Sequence, residues 1–286
     1  MPSGFERIEK GFEEILPAEP ELRRIADGFE FTEGPAWLDG GLIFSDIPAS
    51  TMYRWEQGVG HTVWRKPSHH ANGNTVDREE RLITCEHGSR RVTRTERDGK
   101  VTVLAESYRG RKLNSPNDVV VKSDGSIWFT DPPYGIEPGE REQPANFVFR
   151  LPGAGEEPVA LVDDFSRPNG LCFSPEEELL YVADSDHGIH HVRRFRVRGD
   201  GGLEGGEVFA TIEPGIPDGM RVDAAGRLYV SAKDGVQVFD AEGVLLGKIR
   251  TPETAANCTF GGEGRRTLFI TAVSTVWAEE LAVEGR

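Results

Sequence analysis

Six polar side chains stand at matching places along the chain and could together bind a metal ion. Each lies nine to eleven residues before one copy of a short apolar motif, and the six are Glu33, Asn72, Asn117, Asn169, Asp218 and Asn257. Most are followed by glycine or aspartate, and Asn-Gly or Asp-Gly taken singly would indicate a hairpin turn. A turn preference does not explain why a carboxylate or carboxamide recurs in all six places. The recurrence therefore indicates a shared ligand.

The donor types narrow the choice of ion. Two carboxylates and several amide oxygens form a hard-oxygen set with formal charge −2, which suits Ca²⁺, Mg²⁺ or Mn²⁺. Zinc stays open, although no set of three histidines or thiolates at tetrahedral spacing and no His-Glu-x-x-His helix occurs. Serine-nucleophile, Walker and dinucleotide motifs are likewise missing from the sequence.

The elements that must position these side chains follow from a repeated strand. Its copies start at intervals of 40, 45, 53, 48 and 40 residues and are Leu42–Ser45, Leu82–Cys85, Ile127–Thr130, Leu180–Ala183, Leu228–Ser231 and Leu268–Thr271. Each copy follows a turn signal and another short apolar strand, and the period is that of one four-stranded blade. We predict an all-β, six-bladed propeller with a central channel. An immunoglobulin-like sandwich and a parallel α/β sheet explain the repeat less well.

The ends of the chain have their own predictions. Residues 1–20 form an N-terminal extension and residues 21–286 one propeller domain, closed by the segment from Leu22 to Phe31 as an extra strand on the last blade. Phe5, Ile8, Phe12 and Ile15 recur at helical spacing, and Ser3 with Glu6 resembles a capping box, so a short N-terminal helix is expected. Residues Asp131 to Ala145 are too long for a hairpin turn and predict a lid.

Charge and composition exclude several partners. The formal net charge of −15 repels nucleic-acid phosphates, and no apolar run reaches the length of a membrane span. The N-terminal residues lack the features of a secretory signal, and the three cysteines predict buried free thiols in a reducing compartment. We expect a cytoplasmic monomer or homodimer that binds neither nucleic acid nor membrane.

Five ordered motifs carry a resemblance to a known family. They are Glu33-Gly34-Pro35, Asn114-Ser115-Pro116-Asn117-Asp118, Thr130-Asp131-Pro132-Pro133-Tyr134-Gly135, Arg167-Pro168-Asn169-Gly170 and Pro217-Asp218-Gly219. Together they resemble the senescence marker protein (regucalcin) and gluconolactonase family, and Cys85 to Val92 is similar to its bacterial gluconolactonase branch. The resemblance implies a six-bladed propeller that binds a divalent metal, calcium first, and opens sugar lactones.

The resemblance also implies roles for particular residues. Glu33, Asn169 and Asp218 match the metal ligands of the family, with Asn117 as a fourth ligand or a substrate contact. Asp218 matches the favoured general base. Further candidate substrate contacts are Asn72, His69, His87, Arg90, Asn114 and Tyr134. His190 and His191 are expected to have surface or core roles.

The expected function is a metal-dependent hydrolase that opens an aldonolactone such as gluconolactone. The metal would polarise the lactone carbonyl, and Asp218 would accept the proton of the attacking water. Two alternatives stay open: a non-catalytic propeller that binds calcium or a partner, and a metal-dependent hydrolase of another ester or of a phosphotriester.

Overall fold

The computed structural model describes residues 4–286, and six sheets in that range surround a central axis. The chain begins with β1 (Gly4–Arg7), a one-turn helix α1 (Phe12–Ile15) and β2 (Arg23–Asp27). The first blade consists of β3 (Thr32–Leu38), β4 (Gly41–Asp46), β5 (Thr51–Glu56) and β6 (Gly60–Arg65). The second blade consists of β7 (Ala71–Val76), β8 (Leu82–Glu86), β9 (Arg91–Thr95) and β10 (Val101–Ala105). A hairpin of β11 (Ser107–Tyr108) and β12 (Arg111–Lys112) precedes the third blade, which consists of β13 (Val119–Val121), β14 (Ile127–Asp131), β15 (Phe147–Leu151) and β16 (Val159–Val162).

The second half of the chain supplies three more sheets. The fourth blade consists of β17 (Pro168–Phe173), β18 (Leu179–Asp184), β19 (His191–Val197) and β20 (Leu203–Thr211). The fifth blade consists of β21 (Met220–Val222), β22 (Leu228–Ala232), β23 (Gly235–Phe239) and β24 (Leu245–Arg250). The last blade contains β25 (Asn257–Gly261), β26 (Thr267–Ala272) and β27 (Thr275–Glu280). Strands neighbour one another in chain order within each sheet and pair antiparallel. The predicted six-bladed propeller is confirmed.

Each repeated motif lies in the second strand of its blade, namely β4, β8, β14, β18, β22 and β26. Successive side chains of these strands point to opposite faces of the blade, and both faces are apolar because each blade packs against a neighbour on both sides. The turn before β4 uses Asp39 and Gly40, both at positive φ, as the Asp-Gly pair predicts. The core lies between blades, where for instance Trp128 of β14 meets Phe173 of β17.

The ring closes through the strand that the sequence predicts. β2 pairs with β27, with Arg23 opposite Ala278, and so becomes the outer strand of the last blade. Stacking of Trp37 on Phe269, with ring centroids 5.2 Å apart, joins the first blade to the last. Closure leaves no open gap between the first and last sheets.

The N-terminal segment differs from the helical prediction. Gly4–Arg7 is a strand, β1, that adds to the edge of β24 with Phe5 opposite Ile249. The helix is limited to Phe12–Ile15 because Gly11 takes a left-handed conformation (φ 105°) at its start. Phe12 and Ile15 are fully buried against the blade, as their apolar spacing predicts. Ser3 lies outside the described residues.

The lid differs from its prediction by a small shift in its bounds. Asp131 ends β14, so the loop starts at Pro132 and runs to Asn146, with a 3₁₀ turn at Pro138–Glu140. All three cysteines are free and buried, as expected. Among residues 4–286, no helical segment combines the length and apolar character that crossing a bilayer would require.

Candidate active site

The six polar residues all lie where the innermost strands begin. The inner strands β3, β7, β13, β17, β21 and β25 contact one another in sequence and back to β3, forming the wall of the channel. Glu33, Asn72, Asn169 and Asn257 lie within the first two or three residues of their strands, while Asn117 and Asp218 precede theirs by two residues. The shared position therefore brings all six side chains to one mouth of the channel.

Bulges in the inner strands accompany three of these residues. The register against the second strand shifts between Glu33 and Ala36, between Ala71 and Asn74, and between Pro168 and Leu171. A bulge leaves an extra residue outside the regular ladder and redirects the side chains beside it. This local irregularity turns Glu33, Asn72 and Asn169 towards the axis.

The glycines after the ring residues serve close packing between blades and not hairpin turns. A β-carbon on Gly170 would strike the backbone of Asp218, and one on Gly219 would strike the side chain of Asn257. Inner strands of adjacent blades therefore approach backbone to backbone at the ring. The Asn-Gly and Asp-Gly pairs reflect this contact, because only glycine leaves room for it.

Hydroxyl groups at the ends of the second strands hold the ring in place. Ser45 Oγ donates to the Asn72 carbonyl over 2.8 Å, and Thr130 Oγ1 donates to the Asn169 carbonyl over 2.8 Å. Both bonds run from one blade to the next. Ser45 and Thr130, which end two copies of the repeated motif, are therefore part of the site's support, which the sequence analysis missed.

Glu33 and Asp218 are the two carboxyls of the ring, and the charge of Glu33 acts on Asp218. Glu33 is buried, and its Oε2 accepts hydrogen bonds from Asn257 Nδ2 (3.0 Å) and from the Gly34 amide. Burial, followed by repulsion from Asp118, raises the pKa of Glu33 to about 7. Burial, followed by repulsion from Glu33 and Asp118, raises the pKa of Asp218 well above its usual range.

Asp118 is a third carboxyl near this pair, and the sequence analysis did not select it. Its Oδ1 accepts the Val119 amide (2.9 Å), while its Oδ2 is buried without a hydrogen bond. The nearest cationic group is Arg221, 3.9 Å from Oδ2. Its position directly after the ring residue Asn117 was the available signal. Asp118 therefore acts electrostatically on Glu33 and Asp218, with Arg221 near it.

Asn169 and Asn117 supply amides to the same space. The Asn169 side chain hydrogen bonds to Asp218 and to the hydroxyl of Tyr134. The backbone amide of Asn117 donates to the Thr130 carbonyl over 2.9 Å, which fixes its position. Within residues 4–286 the Asn117 carboxamide has no hydrogen-bond partner of its own. Asn117 therefore presents a free amide to the channel mouth.

His87 joins the ring through Asn72 and lies under the lid. Asn72 Nδ2 lies 3.1 Å from His87 Nε2, while Asn72 Oδ1 is buried without a partner. Burial, followed by the nearby His70, lowers the pKa of His87 to about 4, so the His87 imidazole is neutral at pH 7. A β-carbon on Gly135 of the lid would strike His87 and Ser115, so the lid turn is seated directly over this side chain.

Tyr134 brings the lid to the ring. Its hydroxyl hydrogen bonds to the side chains of Ser185 and Asn169, and burial of the hydroxyl, followed by repulsion from Asp218, raises its pKa to about 12. The Arg167 guanidinium lies 5.6 Å from the centre of the Tyr134 ring. The outer edge of the tyrosine remains open to solvent. Tyr134 is therefore a protonated hydroxyl beside Asp218, at a position that an entering molecule can reach.

The remaining candidate residues lie farther from the ring. Asn114 Nδ2 donates to the carbonyls of Asp131 and Ala145 at 3.0 Å each, and so ties together the two ends of the lid. Arg90 Nε donates to the Leu113 and Asn114 carbonyls at 2.7 and 3.0 Å. Both residues support the segment that carries Asn117. His69 is exposed, and its backbone carbonyl accepts the Gly88 amide.

Acidic and amide side chains converge at one end of the channel of this six-bladed propeller. The family model for the SMP-30/Gluconolactonase/LRE-like region matches residues 31–274. The chain belongs to this family, as its motifs predict.

Similar proteins with names and solved structures support the assignment. The gluconolactonase of Zymomonas mobilis is 33% identical, over 92% of this chain and 82% of the relative. The structure of a gluconolactonase from Xanthomonas campestris superposes with a TM-score of 0.91 at 37% identity and covers 98% of both chains. The pentonolactonase XacC of Haloferax volcanii is 27% identical, over 84% of this chain and 80% of the relative.

Proposed function

We propose that this protein is a metal-dependent lactonase that opens a sugar (aldono) lactone such as gluconolactone to its acid. The observation that carries the proposal is the convergence of Glu33, Asp218 and the ring amides at one mouth of the channel, where Asn257 Nδ2 lies 3.0 Å from Glu33. Family membership and the lactonase names of its relatives support the same reaction.

The residues at the mouth fit a divalent metal. Glu33, Asn169 and Asp218, with Asn117 beside them, would hold it through oxygen atoms, and its charge would offset the repulsion between the buried carboxyls. No point in residues 4–286 gathers three or more His, Cys, Asp or Glu side chains for a metal, so this ligand set depends on its amides. Such a donor set favours calcium, with magnesium, manganese and zinc as alternatives. When bound, the ion would supply Lewis-acid polarisation of the lactone carbonyl.

The chain's own residues would perform the proton transfer and the positioning. Asp218 is oriented by the Asn169 amide and would accept the proton of the attacking water. Asn117, whose carboxamide has no partner within the described residues, would hold a sugar hydroxyl or the lactone oxygen. The Tyr134 hydroxyl, protonated at neutral pH, would donate a hydrogen bond to the substrate as the lid closes over it.

The first experiment measures acid release from gluconolactone at neutral pH by metal-stripped protein, before and after addition of Ca²⁺, Mg²⁺, Mn²⁺ or Zn²⁺. Spontaneous ring opening is subtracted. Turnover restored by a metal is the expected result. Metal binding without turnover of any lactone would favour a non-catalytic binding propeller. Turnover of only phosphotriesters or other esters in a substrate panel would move the proposal to that class of hydrolase.

The role of Asp218 has its own test. Asp218→Asn keeps the shape of the side chain and removes its ability to accept a proton. We expect kcat to fall by about 100-fold or more, the usual scale of general-base catalysis. The matched control is Asp163→Asn, at an exposed position. Activity of Asp218→Asn within threefold of the wild type would exclude Asp218 as the base.

A further inference from the structure

A second cavity opens at the end of the channel opposite the ring. It has a volume of about 380 Å³ and is lined by the far ends of the inner strands, including Trp37 of β3, Phe173 of β17 and Phe260 of β25. Its volume is within the range of small-molecule pockets. None of the six ring residues lines it. We refer to it as the rear cavity.

The rear cavity is basic although the whole chain is strongly acidic. Its basic lining residues are Arg78, Lys122, Arg221, Arg265 and Arg286, and its acidic lining residues are Asp77 and Glu177. The local balance is +3, against a net charge of −15 for the chain. A positive concavity on an acidic protein concentrates small anions there.

The two acidic residues of the lining are already engaged. Asp77 Oδ2 lies 2.8 Å from Arg81, and Asp77 also accepts the Arg81 amide. Glu177 pairs with Lys122 at 3.3 Å and accepts the Ser123 amide at 2.8 and 3.0 Å. Neither carboxylate is therefore free to neutralise the arginines.

Three arginines line the rear cavity, and carboxylates act on two of them from outside its lining. Asp118 lies 3.9 Å from Arg221, and Glu284 attracts Arg265. Arg265 donates to the main-chain oxygen of Arg286 over 3.1 Å, and Arg286 Nε donates to the Pro175 carbonyl over 3.1 Å. In residues 4–286, no carboxylate side chain lies within 4 Å of the Arg265 or Arg286 guanidinium. Burial, followed by repulsion from Arg221 and Arg286, lowers the pKa of Arg265 although Glu284 opposes the shift.

The backbone holds these arginines in place. The Gly285 amide donates to the Arg265 carbonyl over 2.9 Å, and the Arg286 amide donates to the Val222 carbonyl over 3.1 Å. The side chain of Arg221 is only 12% exposed and lies between the cavity and Asp118. Like charges fixed together in this way favour an oxyanion that can accept hydrogen bonds from several guanidinium groups.

We propose that the rear cavity is a binding site for a small oxyanion, a carboxylate or phosphate group, held by Arg265 and Arg286 with Arg221 at its base. The site is separate from the ring, and the proposal does not depend on the lactonase reaction. A sugar acid and a phosphorylated metabolite are the two sources of such a group.

Titration calorimetry on metal-stripped protein tests the proposal, with gluconate and inorganic phosphate as separate probes. Ionic strength is kept at about 0.15 M with sodium chloride so that general screening stays constant. We expect saturable binding of at least one probe. The double variant Arg265→Gln/Arg286→Gln should weaken its Kd at least tenfold. The control Arg196→Gln, at an exposed position on β19, should stay within twofold of the wild type.

Each outcome decides the matter. Binding of gluconate alone identifies a sugar acid, and binding of phosphate identifies a phosphorylated ligand. Absence of saturable binding with both probes up to about 10 mM, the range of a weak site, overturns the proposal. Equal binding by the double variant also overturns it, because the anion then lies elsewhere, including at the ring. If the double variant is unstable, Arg265→Lys replaces it in the test, because it keeps the positive charge but loses the paired N–H donors of the guanidinium.

Discussion

We expect the variant Glu33→Gln of the ring to be more stable than the wild type at pH 8 when no metal is bound. Glu33→Gln replaces a buried carboxyl with an amide of nearly the same shape, and the amide oxygen can still accept from Asn257 and Gly34. The substitution removes a negative charge that is repelled by Asp118, acts on Asp218 and is attracted by Arg221. In metal-stripped protein, removing a repelled charge should stabilise the fold.

The magnitude follows from the pKa of Glu33. Folding raises this pKa from 4.5 to about 7, so the folded state holds its proton more tightly than the unfolded state. The contribution of Glu33 to stability is therefore fully present below pH 4.5 and is lost as the pH rises towards 7. Each pH unit changes the free energy of unfolding by about 1.4 kcal/mol, so a pKa raised from 4.5 to about 7 corresponds to a total loss of about 3.5 kcal/mol.

Urea denaturation of metal-stripped protein at pH 5 and pH 8 measures this effect. We expect Glu33→Gln to lose less stability than the wild type between these two pH values, by about 2 to 3 kcal/mol. Buried acids away from the ring titrate equally in both proteins and cancel in the comparison. Repulsion from Glu33 is absent in the variant, so the pKa of Asp218 falls there, which acts in the same direction. Glu19→Gln, at an exposed position, is the control and should follow the wild type.

Two results would refute this reasoning. One is an equal loss of stability in both proteins between pH 5 and pH 8. The other is a variant that is less stable than the wild type at pH 8 without metal. Calcium gives a further arm at pH 8: it should stabilise the wild type by about 2.7 kcal/mol at a hundredfold excess over Kd, and the variant by much less.

Three further substitutions test the lid, the inner strands and the ring histidine. Tyr134→Phe should raise KM about tenfold in the lactonase assay while the fold is unchanged, and an unaltered KM would exclude a substrate contact. Gly219→Ala should lower the free energy of unfolding by about 2 kcal/mol or more, because the added β-carbon would meet the side chain of Asn257. A free energy of unfolding in urea equal to that of the wild type would contradict the close approach of the inner strands. His87→Gln should leave the pH–rate profile unchanged between pH 6 and 8, because His87 is already neutral there; loss of a pH-dependent limb would assign a catalytic proton to this histidine.

The sequence could predict the fold because the repeat is local. Each copy, such as Leu42–Ser45, combines strand-forming residues with a turn signal that specifies a hairpin without help from distant residues. Six copies at nearly constant spacing then require six equivalent units. The closing strand Arg23–Asp27 followed from the need to join the two ends. The N-terminal helix was predicted too long, because β1 pairs with β24, a partner more than two hundred residues away.

The ring residues could also be located from sequence, because the inner strand of every blade begins at the same mouth of the channel. Glu33, Asn169 and Asp218 follow directly from that periodicity. Asp118 directly follows Asn117 in the sequence, but its burial and its interactions with Glu33 and Arg221 are visible only in the structure. A side chain's charge environment depends on neighbours from other blades, which no local pattern contains.

What the sequence by itself determined is therefore the number of blades, the order of strands and the types of donor at the channel mouth. Tertiary structure decided how those donors affect one another. Burial raises the pKa of Glu33, the close approach at Gly170 and Gly219 excludes larger side chains, and Tyr134 reaches Asn169 from the lid. Arg221 on β21 and Arg265 after β25 belong to adjacent blades, and Arg286 follows the last strand, so the three meet only in the closed ring. Periodicity fixes positions along a strand, whereas desolvation and charge interaction depend on distances through space.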